Sequence, residues 1–256
     1  MRILLAEDNA ANRLIIGRML QRLGHTVSTA ADGRATVRIA EQEHPDLVLM
    51  DIMIPELDGL AATHAIRALP GVARRIPIIG LTASVAAQDE ATGRAAGVTG
   101  FAAKPITEGK LREVIGATMI DAVGHASGDH HVTGADPGPD NEMLIDPAAF
   151  ARLREAAGTE TLREAVAVFA AFAQNTIASQ QRVGATDRTA IRFQAHAPNG
   201  AARNLALTRL ARLADDIGRQ SQTMPPAAET HEKLAITLAE TLEQLPALVR
   251  PVTAAE

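Results

Sequence analysis

The chain has 256 residues, 46% of them hydrophobic, and a formal net charge of −5, a size and composition suited to one large or two ordinary domains with buried cores. The mild acidity argues against holding nucleic acid by counterion release, which needs a basic face. No cysteine is present, so disulfides, thiolate metal sites and cysteine nucleophiles are excluded.

The N-terminus, Met1-Arg2-Ile3-Leu4-Leu5-Ala6, runs directly into Glu7-Asp8. It has neither the long apolar core nor the small-residue cleavage site of a secretory signal. No stretch approaches the ~20 apolar residues of a membrane-spanning helix. The expectation is a soluble, cytoplasmic protein with no membrane partner.

Ile3 to Ala6 reads as a short strand that ends in carboxylates. Ala11 to Leu23 follows as a helix, with Leu14, Ile15, Met19, Leu20 and Leu23 on one face and Gly24 as its stop. Thr26 to Ala30 is a second strand, leading to a helix from Arg34 to Glu43. Leu47-Val48-Leu49-Met50 is continuously apolar, as a strand covered on both faces should be. After the turn at Pro55 come a helix through Ile66, a strand from Ile76 to Leu81 and a helix around Gln88 to Ala96. A strand near Phe101 and a helix from Thr107 to Ile120 complete the series. Five strand–helix alternations predict a doubly wound α/β domain over residues 1–120, with a five-stranded parallel sheet.

Residues 121–144 are rich in turn formers and lack an apolar period, so they read as a flexible linker. His125, His130 and His131 fall here and are taken as solvated linker residues rather than a metal site. Residues 145–250 carry no strand signal. Asp146-Pro147 reads as a helix N-cap followed by proline in the first turn. Phe150, Leu153, Leu162, Val166, Val168, Phe169, Phe172 and Ile177 fall on helical faces. Further helices are predicted from Thr189 to Arg219 and from Thr230 to Leu245, with Leu205, Leu210, Leu213, Leu234, Ile236, Leu238, Leu242 and Leu245 as candidate core. The expectation is an all-α four-helix bundle.

In a doubly wound sheet the ligand site lies beyond the carboxyl ends of the strands. The polar residues there are Glu7 and Asp8, Asp51, Thr82, and Lys104 followed by Pro105. Crowded carboxylates raise one another's pKa unless a cation is present. An oxygen-only donor set with open positions suits Mg²⁺, a hard ion that keeps several waters and accepts a phosphate. A hydroxyl and an ammonium beside it would stabilise an incoming phosphoryl group.

Glu7-Asp8-Asn9, the run Asp51-Ile52-Met53-Ile54-Pro55-Glu56-Leu57-Asp58-Gly59, Leu81-Thr82-Ala83 and Lys104-Pro105 together resemble the receiver family of response regulators, a flavodoxin-like fold. The resemblance implies that Asp51 accepts phosphoryl from a phosphohistidine. It implies that Asp8, Asp51 and the Met53 carbonyl bind Mg²⁺, with Glu7 acting through water. Lys104 would pair with Asp51 at rest and with a phosphoryl oxygen afterwards, and Thr82 would bind another phosphoryl oxygen. Phe101 takes the family's switch-aromatic position, Met53 and Ser84 take positions that tune acyl-phosphate lifetime, and the Lys104–Pro105 bond is expected to be cis. Ile54 replaces a frequent methionine at similar volume. Asn9, Asn12, Arg13 and Leu23-Gly24-His25 resemble receivers of hybrid sensor kinases, which implies such a kinase, or its phosphotransfer domain, as donor.

Ala195-His196-Ala197-Pro198-Asn199-Gly200, with Arg203 further on, resembles the histidine-phosphotransfer family over residues 145–247. There an exposed histidine carries phosphoryl, a lysine three residues on offsets its charge, and a glycine four residues on admits the receiver. His196 and Gly200 fit. Asn199 stands in place of lysine, Pro198 interrupts the helix ahead of it, and Ala206 replaces a frequent glycine. Arg203 is a candidate substitute for the missing charge. Two readings stand open: His196 exchanges phosphoryl with another receiver, or the helical domain is inactive and serves as a docking or homodimerisation surface controlled by Asp51. Any catalysis is the receiver's own phosphorylation and dephosphorylation. A DNA-binding regulator is disfavoured, because no basic recognition helix is evident.

Overall fold

The computed structural model describes residues 1–82, 87–123, 144–180, 200–223 and 228–248. The chain divides into two compact units, Met1–Asp136 and Pro137–Glu256.

In the first unit the chain runs β1 (Arg2–Ala6), α1 (Ala10–Arg22), β2 (Thr26–Ala30), α2 (Gly33–Glu43), β3 (Leu47–Asp51), α3 (Gly59–Ala68), a 3₁₀ turn (Ala73–Arg75), β4 (Ile78–Thr82), α4 (Ala87–Ala96), β5 (Gly100–Ala103) and α5 (Glu108–Val123). All strands are parallel, in the order β2-β1-β3-β4-β5. The doubly wound α/β expectation holds for this unit. Central β3, Leu-Val-Leu-Met-Asp, is buried at every position, whereas edge strand β2, Thr-Val-Ser-Thr-Ala, is largely open. That contrast follows from helices covering both faces of a parallel sheet's centre. α5 runs three residues past the predicted Ile120 and takes up the start of the expected linker.

Side-chain caps set the helix starts. Asn9 Oδ1 accepts the Ala11 and Asn12 N–H groups, Asp32 Oδ1 accepts that of Ala35, and Asp58 Oδ1 accepts that of Ala61. Each such cap contributes about 1 kcal/mol by satisfying donors the helix itself cannot.

The described part of the second unit is helical: α6 (Pro147–Ala157), α7 (Thr159–Gln180), a helical segment over residues 200–204, α8 (Thr208–Thr223) and α9 (Ala228–Leu248). Asp146 caps α6, accepting from the Ala148 and Ala149 N–H groups, with Pro147 in the first turn, as expected. The helix predicted from Thr189 to Arg219 is not continuous. Ala206 takes a left-handed φ of 58°, its N–H donates to Arg203 O at 3.2 Å, and Leu207 N–H donates to Ala202 O at 2.8 Å. This bond pair is a Schellman stop with alanine where glycine is the usual residue. Apolar periodicity passes through the break, which is why the pattern did not reveal it. Ile236, a candidate core residue, is instead 51% exposed on α9, while Leu205, Leu210, Leu234, Leu238 and Leu245 are buried.

Candidate functional site

The strand order reverses at β1, which has β2 on one side and β3 on the other. A crevice opens at the carboxyl ends of the strands at such a switch point. Register then places the polar residues: Ala6 lies opposite Met50, Asp51 opposite Leu81, and Thr82 opposite Ala103. Glu7 and Asp8 therefore leave β1 beside Asp51 at the end of β3, with Thr82 and Lys104 on the next two strand ends.

Glu7, Asp8 and Asp51 bring carboxylate oxygens within 4.8 Å of one another. Lys104 reaches in from β5 with only 3% of its surface exposed. Its Nζ donates to Asp51 Oδ2 at 2.6 Å and to Glu7 Oε2 at 2.8 Å. The other Glu7 oxygen accepts from Asn12 Nδ2 at 2.8 Å, and Asp51 Oδ1 accepts the Met53 N–H at 3.0 Å. Arg13 donates to the Glu7 and Asp8 carbonyls, at 2.7 and 2.6 Å, tying α1 to the loop that follows β1. Thr82 O accepts the Lys104 N–H at 2.7 Å, and Lys104–Pro105 is cis.

Burial pushes the Asp8 carboxyl up to about 7, with Glu7 and Asp51 adding repulsion and Lys104 opposing it. Glu7 is raised for the same leading reason. Burial alone would lower Lys104, but Asp51 and Glu7 outweigh it and hold the ammonium above its ordinary range. With three carboxylates against one ammonium, the ionised cluster sums to −2. That is the charge a divalent ion neutralises, and the donors are all oxygen, the chemistry of a hard cation. The cluster can hold a metal.

Sequence reasoning placed Asp51 with Lys104 but did not find that Glu7 shares the same ammonium, or that Asn12 and Arg13 brace the cluster. It also missed two close approaches at helix starts. A Cβ on Gly59 would lie 2.2 Å from Asp51 O, and one on Gly33 would lie 1.8 Å from Leu57 O. Both glycines follow a capping aspartate, so the Asp-Gly pairs at 32–33 and 58–59 were the available signal. Phe101 is half-buried, its ring against Gly80 and Gly93, with the Arg94 guanidinium 6.0 Å from the ring centroid. Arg203 forms an ion pair with Asp215. His196, Pro198, Asn199, Ser84 and the linker histidines lie outside the described residues. Among the described residues no helix is long and apolar enough to cross a membrane.

Residues 3–116 match the family described as response regulator receiver domain. The sensor protein GacS of Pseudomonas syringae pv. syringae is 37% identical over 116 residues, 44% of this chain and 13% of that protein. The sensory/regulatory protein RpfC of Xanthomonas campestris pv. campestris is 27% identical over 226 residues, 86% of this chain and 30% of that protein. This chain thus spans less than a third of either relative. A crystal structure of the receiver domain of sensor histidine kinase PA1611 from Pseudomonas aeruginosa PAO1, with magnesium in its active-site cleft, is 43% identical. It covers 44% of this chain and 91% of that one at a TM-score of 0.41. The family match over the sheet-bearing unit, and the homology to two-component phosphorelay proteins, agree with the residues at the strand ends: residues 3–116 are a response regulator receiver domain.

Proposed function

We propose that this chain is a two-component phosphorelay protein that accepts a phosphoryl group on Asp51 from a histidine kinase, hybrid in type, or from its phosphotransfer domain. The observation that carries the reading is the buried Lys104 ammonium, held between Asp51 and Glu7 beside a third carboxylate. Asp8, Asp51 and the Met53 carbonyl would hold Mg²⁺. Glu7, with both oxygens already engaged by Asn12 and Lys104, would reach the ion through water. When bound, the ion supplies positive charge to the phosphoryl oxygens.

An Asp51 oxygen attacks phosphorus, the phosphorus–nitrogen bond breaks, and the donor imidazole leaves with the bonding electron pair. Lys104 turns from the carboxylate to a phosphoryl oxygen, and the Thr82 hydroxyl donates to another. The helical unit, read as a histidine-phosphotransfer-like four-helix bundle, would pass the group through His196 to or from a second receiver. A second reading makes that unit an inactive docking or dimerisation module. It is favoured by Asn199 in place of lysine and by Asp215 engaging Arg203, the candidate replacement cation.

The test is the chemistry of the linkage formed when the full chain meets a labelled phosphohistidine donor with Mg²⁺. Acyl phosphates are lost in base, and phosphohistidine is lost in acid. Base-labile label that disappears in Asp51→Asn, and on chelation, is expected; its persistence in either case refutes the acceptor assignment. An additional base-stable label that requires His196 establishes the relay. Its absence leaves the docking reading.

A further inference from the structure

We infer that Gly33, at the first position of α2 and outside the acceptor cluster, is a positioning residue for phosphoryl acceptance: its missing side chain lets the Pro55–Leu57 turn seat and so fixes the Met53 carbonyl beside Asp51. This inference rests on the reading of Asp51 as a metal-assisted acceptor.

The turn in question is unusual in itself. Glu56 has φ 66°, and the Leu57 N–H donates to Pro55 O at 2.8 Å across it, a three-residue γ-turn of the rare positive-φ kind. A non-glycine residue there is strained, and such a conformation persists only where its surroundings over-determine it. Gly33 supplies that surrounding. Its own N–H donates to the same Pro55 oxygen at 3.3 Å. Its α-carbon faces Leu57 so closely that an added Cβ would stand 1.8 Å from the Leu57 carbonyl oxygen, 2.8 Å from its carbon and 2.9 Å from its Cβ. Gly33 carries no positive φ, so space rather than backbone dihedral excludes a side chain.

A methyl group at Gly33 therefore forces a retreat of more than ~1 Å before ordinary van der Waals separation is regained. α2 resists: Asp32 caps it, and Thr36 and Ala40 are buried beneath it. The turn is the part that yields, since Glu56 is exposed. Its far end is pinned by the Asp58 cap and by Gly59, whose N–H donates to Ile52 O at 2.9 Å. The displacement is then taken up within residues 52–57, where the Met53 N–H bond to Asp51 Oδ1 lies. Gly33 touches neither metal nor phosphoryl group and acts through the turn.

The experiment labels Asp51 in the 256-residue chain with a phosphoramidate, a small nitrogen–phosphorus donor, across a range of Mg²⁺ concentrations. Gly33→Ala is expected to raise the half-saturating Mg²⁺ about tenfold, the size of effect found when a metal ligand loses its support. Gly24→Ala is the control. Gly24 has φ 85°, and an added Cβ there would have nothing within 4 Å of it, so alanine lowers the melting temperature without touching the turn, and half-saturation should not move. If Gly33→Ala does not fold, Leu57→Ala loosens the same turn from the opposite side and should shift half-saturation about threefold. Half-saturation within twofold of wild type in the folded variant, or an equal shift in Gly24→Ala, overturns the inference alone. Absence of Mg²⁺-dependent label in the wild type overturns the functional reading and this inference with it.

Discussion

Raising the pH of the metal-free chain from about 5 to about 8 should destabilise the receiver, and Mg²⁺ should remove most of that loss. Asp8 moves from an ordinary 3.8 to about 7 on folding, chiefly by burial. A carboxyl with a raised folded pKa keeps its proton in the fold after the unfolded chain has released it. The folded state therefore binds more protons between 3.8 and 7, and stability falls as pH climbs through that window. At about 1.4 kcal/mol per unit, the full shift corresponds to roughly 4 kcal/mol, and the part between about pH 5 and pH 7 to roughly 3 kcal/mol. Glu7 is raised as well and acts with the same sign, while Lys104, held above its ordinary range, stays charged throughout. For a unit of this size, that loss lowers the melting temperature by on the order of 10 °C. A divalent ion binds the ionised cluster, so the gain in melting temperature on adding Mg²⁺ should be small at about pH 5 and large at about pH 8. Far-ultraviolet circular dichroism is the suitable assay, because the chain has no tryptophan or tyrosine to report by fluorescence. Asp8→Asn should flatten the metal-free pH profile and abolish the Mg²⁺ response. A Mg²⁺ gain of equal size at both pH values, or one that survives Asp8→Asn, would refute the carboxylate-cluster argument.

Lys104→Met should cost about 3–5 kcal/mol near neutral pH, because it strands Asp51 and Glu7 as buried carboxylates without their shared cation. The cost should shrink at about pH 5, where Asp8, pushed up to about 7, is protonated, and burial also raises Glu7 above its ordinary range; an equal loss at both pH values in thermal melts would show that side-chain packing, not charge, dominates. In the helical unit, Ala206→Gly should raise stability by about 0.5–1 kcal/mol, since it removes alanine's left-handed penalty of about 1–2 kcal/mol at φ 58°, of which glycine's greater unfolded-state entropy cancels about 0.4–1 kcal/mol. A chemical-denaturation midpoint that falls, with unchanged slope, would contradict the Schellman geometry.

Much of this molecule was legible from residue order because the signals are local. Leu47 to Met50 is apolar throughout, so β3 had to be a central strand, and the polar residue that ends it, Asp51, had to lie on the rim. The same reasoning put Glu7, Asp8, Thr82 and Lys104 at neighbouring strand ends, and Asp146-Pro147 announced α6 through its own side-chain oxygen. Tertiary structure alone decided what depends on partners far apart in the chain. Lys104 finds Glu7 across 97 residues only because β1, β3, β4 and β5 stack in that order, and no period within a segment encodes which strands are neighbours. Gly33 reads as an ordinary turn glycine until Leu57 is brought against it. Ala206 has the character of a helix-interior residue, yet the helical segment stops there, with the Asp146 N–H donating to its carbonyl at 2.9 Å. Ile236 shares its helical period with buried leucines but faces outward, because periodicity marks a stripe on a helix and only the packed neighbours determine how wide a stripe is covered.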